Sequence, residues 1–101
     1  MTDRFSYYSQ LTCSQCERTF DHRQPQTFCP ECKAPLLAGY DLAALRADLP
    51  REEIGRRARG MWRWHELLPV FDPAYIASLG EGDAPLLPAP RLGAELGMAG
   101  L

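Results

Sequence analysis

Cys13-Ser-Gln-Cys16 and Cys29-Pro-Glu-Cys32 are two C-x₂-C pairs with twelve residues between them. This spacing constrains the chain more than any other feature. Two residues between cysteines allow a tight turn to aim both sulfurs at one point, and two such knuckles supply the four thiolates of a tetrahedral Zn²⁺ site. The segment Glu17 to Phe28 is then a hairpin, shorter than the roughly 15–20 residues of the commonest double-knuckle spacing. With Cys13, Cys16, Cys29 and Cys32 all as ligands, no coordination position stays open for water or substrate, so the metal is expected to be structural. Comparable peptide sites bind zinc with about 10–16 kcal/mol, more than the whole stability of a small domain, and folding of this part should depend on the metal. The alternatives are a disulfide pair, a redox C-x-x-C and free thiols. A redox pair usually occurs once, at a helix N-terminus in a βαβ pattern, and no such pattern is visible. His22 lies between the knuckles and reads as an exposed hairpin histidine rather than a fifth ligand.

Size and charge exclude several functions. A chain of 101 residues buries roughly 60–65% of its unfolded surface at best, enough for one modest core but not for a two-domain enzyme with a deep cleft. Eleven basic and 13 acidic side chains leave a net charge of −2, which argues against nucleic-acid binding, where excess Lys and Arg neutralise phosphates. No apolar run approaches the ~18 residues of a membrane span. The first residues, Met1 to Tyr8, lack the basic-then-apolar order of a signal peptide. A reducing cytoplasm is the expected compartment, and cysteines there are more often metal ligands than disulfides.

The pattern predicts a small α+β chain in three stretches. Residues 7–40 hold all four cysteines and short runs such as Tyr8 to Thr12 and Gln26 to Phe28 that read as strands of a ribbon. Residues 41–79 form a helical connection. Asp41 caps a helix whose Leu42, Leu45 and Leu49 make an apolar stripe. Pro50 starts a second helix over Arg51 to Arg59, with Gly60 as its stop, and Asp72-Pro73 starts a third. Residues 80–101 contain five of the eight glycines and three of the nine prolines and are expected to be mostly loop. Within them Leu86-Leu87 is apolar enough to demand burial, and Arg91 to Leu96 fits a helical turn ending at Gly97. The apolar end Met98-Ala-Gly-Leu101 reads as a truncation point.

Arg51, Arg56, Arg57, Arg59 and Arg63 precede or flank Trp62 and Trp64, a mixture that nucleic-acid sites also use. Here Glu52 lies four before Arg56, and Glu53 four before Arg57, which predicts paired charges on a solvated helix face. The tryptophans are expected to dock the segment on a core. His65 has no nucleophile near it in sequence and is assigned no catalytic role.

The succession Leu11-Thr-Cys-Ser-Gln-Cys16, Cys29-Pro-Glu-Cys32, Leu36 to Leu42, Met61-Trp-Arg-Trp-His-Glu-Leu-Leu-Pro69, Ser78-Leu-Gly-Glu-Gly-Asp-Ala-Pro-Leu86 and Arg91-Leu-Gly-Ala-Glu-Leu-Gly97 resembles the N-terminal portion of zinc-ribbon-bearing threonine synthases. These are pyridoxal-phosphate enzymes of the tryptophan-synthase-β fold type. The resemblance implies a fragment of a larger α/β fold whose reaction takes O-phospho-homoserine and water to threonine and phosphate. In that family the cofactor is held as a Schiff base to lysine and serves as an electron sink. The cofactor lysine and the glycine-rich phosphate loop follow later in the family's chains. Here the only lysine is Lys33, one residue after a metal cysteine, so the 101 residues alone should be inactive. The family usually has Thr before the Pro-Leu of its Gly-Glu-Gly motif, and Ala84 stands there instead.

On this reading Gly80, Glu81, Gly82, Asp83, Ala84 and Pro85 contribute to the rim of the cofactor cleft, with no acid–base role for Glu81 or Asp83. The expected partners are the remainder of the catalytic domain and the parent's small-molecule substrate, with no nucleic acid and no membrane. Two other readings stand beside it. One is a free-standing zinc-ribbon module that presents Trp62, Trp64, Leu86 and Leu87 to a partner protein. The other is another lyase of the same cofactor fold, such as a cysteate-synthase-like or ammonia-lyase-like relative.

Overall fold

In the computed structural model, which describes residues 4–101, the ribbon is a three-stranded antiparallel sheet of order β2-β1-β3. Met1 to Asp3, the start of the segment read for a signal peptide, lie outside the described residues. Strand β1 is Tyr8–Cys13, β2 is Thr19–Phe20 and β3 is Leu36–Tyr40. In β1, Leu11 and Cys13 share the buried face at the two-residue period of a strand. Tyr8 is buried too, three residues before Leu11, because the pairing with β3 slips between Tyr8 and Gln10. One extra residue shifts the phase of the alternation. Register runs Leu11 opposite Phe20 on one side, and Leu11 opposite Ala38 and Cys13 opposite Leu36 on the other. The Gln26 to Phe28 strand does not form: only Phe28 makes an isolated bridge, to Pro35. Pro25 and Pro30 flank this run, and each lacks the N–H a longer ladder needs.

Helix α1, Leu42–Asp48, starts where Asp41 Oδ1 accepts the N–H of Ala44 at 3.1 Å. Its leucine stripe is not a core face. No α1 residue is buried and Leu42 is exposed. Helix α2 is Arg51–Arg56 and stops before Gly60, at Arg57. Arg57 leaves the helix to bond Glu66, so the expected Glu53–Arg57 pairing gives way to a contact nine residues distant. Two 3₁₀ turns follow. Met61–Leu67 kinks at Trp64, and Pro73–Tyr75 is capped by Asp72, whose Oδ1 accepts the N–H of Ala74 at 2.8 Å. The third helix predicted at Asp72-Pro73 is thus a single turn. Helix α3, Pro90–Leu96, closes at left-handed Gly97, and the Met98 N–H returns to the Gly93 carbonyl at 2.7 Å.

The connecting segment hangs on the start of β1. The Tyr7 N–H donates to the Glu66 carbonyl at 2.8 Å, the Asp41 N–H donates to the Tyr7 carbonyl at 2.9 Å, and the Ser6 hydroxyl donates to the Leu68 carbonyl at 2.5 Å. His65 stacks on Phe5 with ring centroids 4.0 Å apart, and its Nδ1 meets the Phe5 carbonyl at 2.6 Å. A carbonyl only accepts, so Nδ1 carries the proton. Phe71 reaches back to Tyr8 and His22. His22, expected to be exposed, is therefore half-buried, with its ring 4.9 Å from that of Tyr8.

Among the described residues the buried apolar side chains are Tyr7, Tyr8, Leu11, Cys13 and Cys29, all in the ribbon. The radius of gyration is 18.2 Å, against about 13 Å for a compact chain of this length. Apolar surface consequently stays open along the rest of the molecule. Leu86 is 100% exposed and Leu87 74%, so the burial expected for them is not supplied within these residues. Trp64 is also exposed, whereas Trp62 is half-buried.

Candidate metal centre

The two knuckles are built alike. In the first, Cys13 Sγ accepts the backbone N–H groups of Gln15 and Cys16, each at 3.4 Å, while the Glu17 N–H donates to the Cys13 carbonyl at 3.1 Å. In the second, the Lys33 N–H donates to the Cys29 carbonyl at 3.0 Å. Glu17 (φ 61°) and Lys33 (φ 58°), each directly after the second cysteine of its pair, hold the left-handed conformation that turns the chain away from the sulfurs. Backbone bonds then join knuckle to sheet: the Cys13 N–H donates to the Arg18 carbonyl, the Ser14 N–H to the Pro35 carbonyl and the Cys29 N–H to the Ala34 carbonyl.

This geometry brings together the four cysteines the spacing predicts. Their sulfurs all lie within 4.8 Å of one another, and Cys16 Sγ stands 3.9 Å from Cys29 Sγ. Zn–S bonds of about 2.3 Å in a tetrahedron require sulfurs ~3.8 Å apart. The set therefore fits a tetrahedral thiolate-bound ion after a contraction of an ångström or less. Cys13 and Cys29 are buried, Cys32 is half-buried and Cys16 is exposed.

The electrostatics run the same way. The Cys16 N–H aimed at its sulfur, aided by the N–H of Gln15, holds the Cys13 thiol down at about 7. Hydrogen bonding to Cys16, burial and the repulsion of Cys16 and Cys29 push Cys32 up to about 12. Four thiolates cannot share this volume without a cation among them, and a divalent ion removes the repulsion that raises Cys32. Across the two knuckles Arg18 bridges to Glu31 at 2.8 Å, and Glu31 is held below the usual carboxylate range by it. His22 takes no part, being turned to Tyr8 and Phe71. The exposed Lys33 donates its Nζ to the Pro30 carbonyl at 2.9 Å.

The loop of Gly80 to Pro85 is separate from this centre and has its own order. Glu81 Oε1 accepts the Trp62 indole N–H at 3.2 Å, and Glu81 Oε2 accepts the Ser78 hydroxyl and the Leu79 N–H, both at 2.8 Å. Asp83 Oδ2 accepts the Gly60 N–H at 2.6 Å and Arg59 Nε at 3.3 Å. The Met61 N–H donates to the Glu81 carbonyl at 3.1 Å. The sequence assigns neither carboxylate an acid–base role, and nothing local in it links Glu81 to Trp62.

A threonine synthase of Methanocaldococcus jannaschii is 36% identical over 86 residues, which cover 85% of this chain and 21% of that protein. The chain thus spans about a fifth of the length of the curated relative it matches. No family model matches the chain and no solved structure does.

Proposed function

We propose, from the premise that this chain is similar to a threonine synthase over most of its length, that it is the zinc-ribbon-bearing N-terminal part of a threonine-synthase-like enzyme. The enzyme would act in the cytoplasm, in threonine biosynthesis, converting O-phospho-homoserine and water to threonine and phosphate. The observation that carries this is the 36% identity along 85% of the chain.

In this reading residues 7–40 are a structural zinc ribbon, 41–79 a connecting segment and 80–101 the start of the catalytic domain. Cys13, Cys16, Cys29 and Cys32 hold Zn²⁺, and closure by four sulfurs leaves it a folding role. Pyridoxal phosphate, when bound in the parent, supplies an electron sink for carbanions on the substrate. The 101 residues offer it no Schiff-base lysine, because Lys33 lies on the second knuckle, bonded to the Pro30 carbonyl. No step of the reaction is therefore assigned to this chain. Its contribution is the rim: Gly80 to Pro85 approach the cleft as a shaped backbone, and Ala84 brings a methyl where the family usually has a hydroxyl. Leu86, Leu87 and Leu92, exposed here, would be covered by the remainder of the catalytic domain.

The test is a longer protein that begins with this chain and continues through the family's lysine and phosphate loop. Loaded with pyridoxal phosphate, it should release phosphate from O-phospho-homoserine and display Schiff-base absorbance. Absence of both overturns the reading. The exposure of Trp64, Leu86 and Leu87 also suits a free-standing ribbon module that binds another protein. A stop codon directly after Leu101 in the coding DNA, with one zinc per chain, would favour that second reading.

A further inference from the structure

We propose that Glu81 and Asp83 are positioning residues that hold the loop of Gly80 to Pro85 in one preformed shape against the turn of Gly60 to Trp62. This rests on the reading of that loop as a cleft rim, and adds how its shape is held. Five donors from two stretches of the chain, Arg59 to Trp62 and Ser78 to Leu79, converge on the two carboxylates: the Trp62 indole, the Ser78 hydroxyl and the Leu79 N–H on Glu81, the Gly60 N–H and Arg59 Nε on Asp83. Such multiplicity is what a carboxylate with two acceptor oxygens allows and a neutral side chain does not.

The backbone between the two carboxylates is fitted to the same purpose. Gly82 has φ 90°, and a Cβ added there would lie 2.5 Å from the Met61 nitrogen. The loop thus approaches the turn as closely as only glycine permits. Gly80 (φ 82°) and Asp83 (φ 52°) also adopt left-handed backbone, a conformation that costs a non-glycine residue such as Asp83 free energy and persists when surrounding bonds over-determine it. The bonds of Asp83 to Gly60 and Arg59 do this. A loop ordered beforehand meets its ligand without the entropy cost of being ordered on binding.

The experiment uses the zinc-loaded 101-residue chain, labelled with ¹⁵N. Trp64 provides an internal control, since it is exposed and is the other of the two tryptophans. In the unmodified chain the Trp62 indole N–H should exchange with solvent at least roughly tenfold more slowly than that of Trp64. Glu81→Ala should abolish that difference and release the Leu79 amide as well, with the ribbon amides of residues 7–40 unmoved. Glu81→Gln keeps one acceptor oxygen and turns the other into a donor. It should keep either the Trp62 indole or the Leu79 amide protected, and not both. That split is a signature a general loss of stability does not produce. If both groups keep their protection in Glu81→Ala, or in Glu81→Gln should the alanine variant fail to fold, the proposal is overturned. The readout needs no cofactor or substrate, so it is independent of phosphate release by the longer enzyme. Failure of the clasp and failure of the cleft-rim reading are therefore separate results.

Discussion

Arg57 grips Glu66 with both ends of its guanidinium, at 2.8 and 2.6 Å, and Glu66 is only 5% exposed. Burial pushes the Glu66 carboxyl up, but the hydrogen bonds and charge of Arg57, with help from His65, bring it below its ordinary value. The backbone of Glu66 meanwhile accepts the Tyr7 N–H. Glu66 so joins the ribbon through its carbonyl and the residue that ends α2 through its side chain. Arg63 completes the arrangement: its guanidinium donates to the Arg57 carbonyl while Arg57 donates to the Arg63 carbonyl.

Removing one partner of this pair strands the other. Arg57→Met is expected to destabilise the connecting segment by about 3 kcal/mol, the lower end for a buried pair because Arg57 keeps some exposure. Arg57→Met with Glu66→Leu should recover much of the loss, since no charge is then left buried. Urea unfolding of the single and double variants, followed by tryptophan fluorescence, measures both.

Metal removal should unfold the ribbon. Mass spectrometry under native conditions is expected to find one zinc per 11.4 kDa chain. A strong chelator should erase the amide dispersion of residues 7–40. Protons compete with zinc for thiolates, so the metal should leave as pH falls, and Cys29→Ser should bring that release to higher pH. A chain that keeps its ribbon dispersion in chelator would contradict the closed four-sulfur centre.

Glu81 predicts a second loss on acidification, independent of the metal. Its own backbone N–H, the Ser78 hydroxyl and the Leu79 N–H hold the carboxyl down at about 2. A depressed value means that the bound form is the ionised one. The stability Glu81 gives the loop is fully present above its unfolded value of about 4.5 and is lost as pH falls through about 2. The ¹³C carboxyl resonance of Glu81 should accordingly remain that of a carboxylate at pH 4.

Two glycines predict opposite responses to one substitution. Gly55 lies in α2 with nothing within 4 Å of an added Cβ, so Gly55→Ala should stabilise by about 0.5–1 kcal/mol through helix propensity. Gly82→Ala meets the Met61 backbone and a left-handed φ, and should cost roughly 2 kcal/mol or more. Thermal unfolding of the two variants compares them directly.

What the sequence made legible is what is decided within a few residues. The knuckles, the Asp41 and Asp72 caps and the Gly97 stop each need only a short span of chain, and each was found where the residues predicted it. The Arg57–Glu66 pair and the Trp62–Glu81 bond were not legible, because they depend on how the chain returns after Gly60. The helix rule that paired Glu53 with Arg57 failed because the helix ends at Arg56. Leu86 and Leu87 were expected to be covered on hydrophobicity alone, which says that a side chain prefers cover but not which part of a chain provides it.

The matched turns at Glu17 and Lys33 bear on how the ribbon assembles. Each knuckle is closed by bonds internal to itself, so the turn that aims one pair of sulfurs does not depend on bonds to the other pair. An incoming ion then unites two half-sites rather than recruiting four independent positions. With only twelve residues between the pairs, the loop to be closed is short and its entropy cost small. Capture of the ion then turns on the approach of the second knuckle to the first. The sheet can follow it, since Ser14 and Pro35 are joined once the knuckles meet.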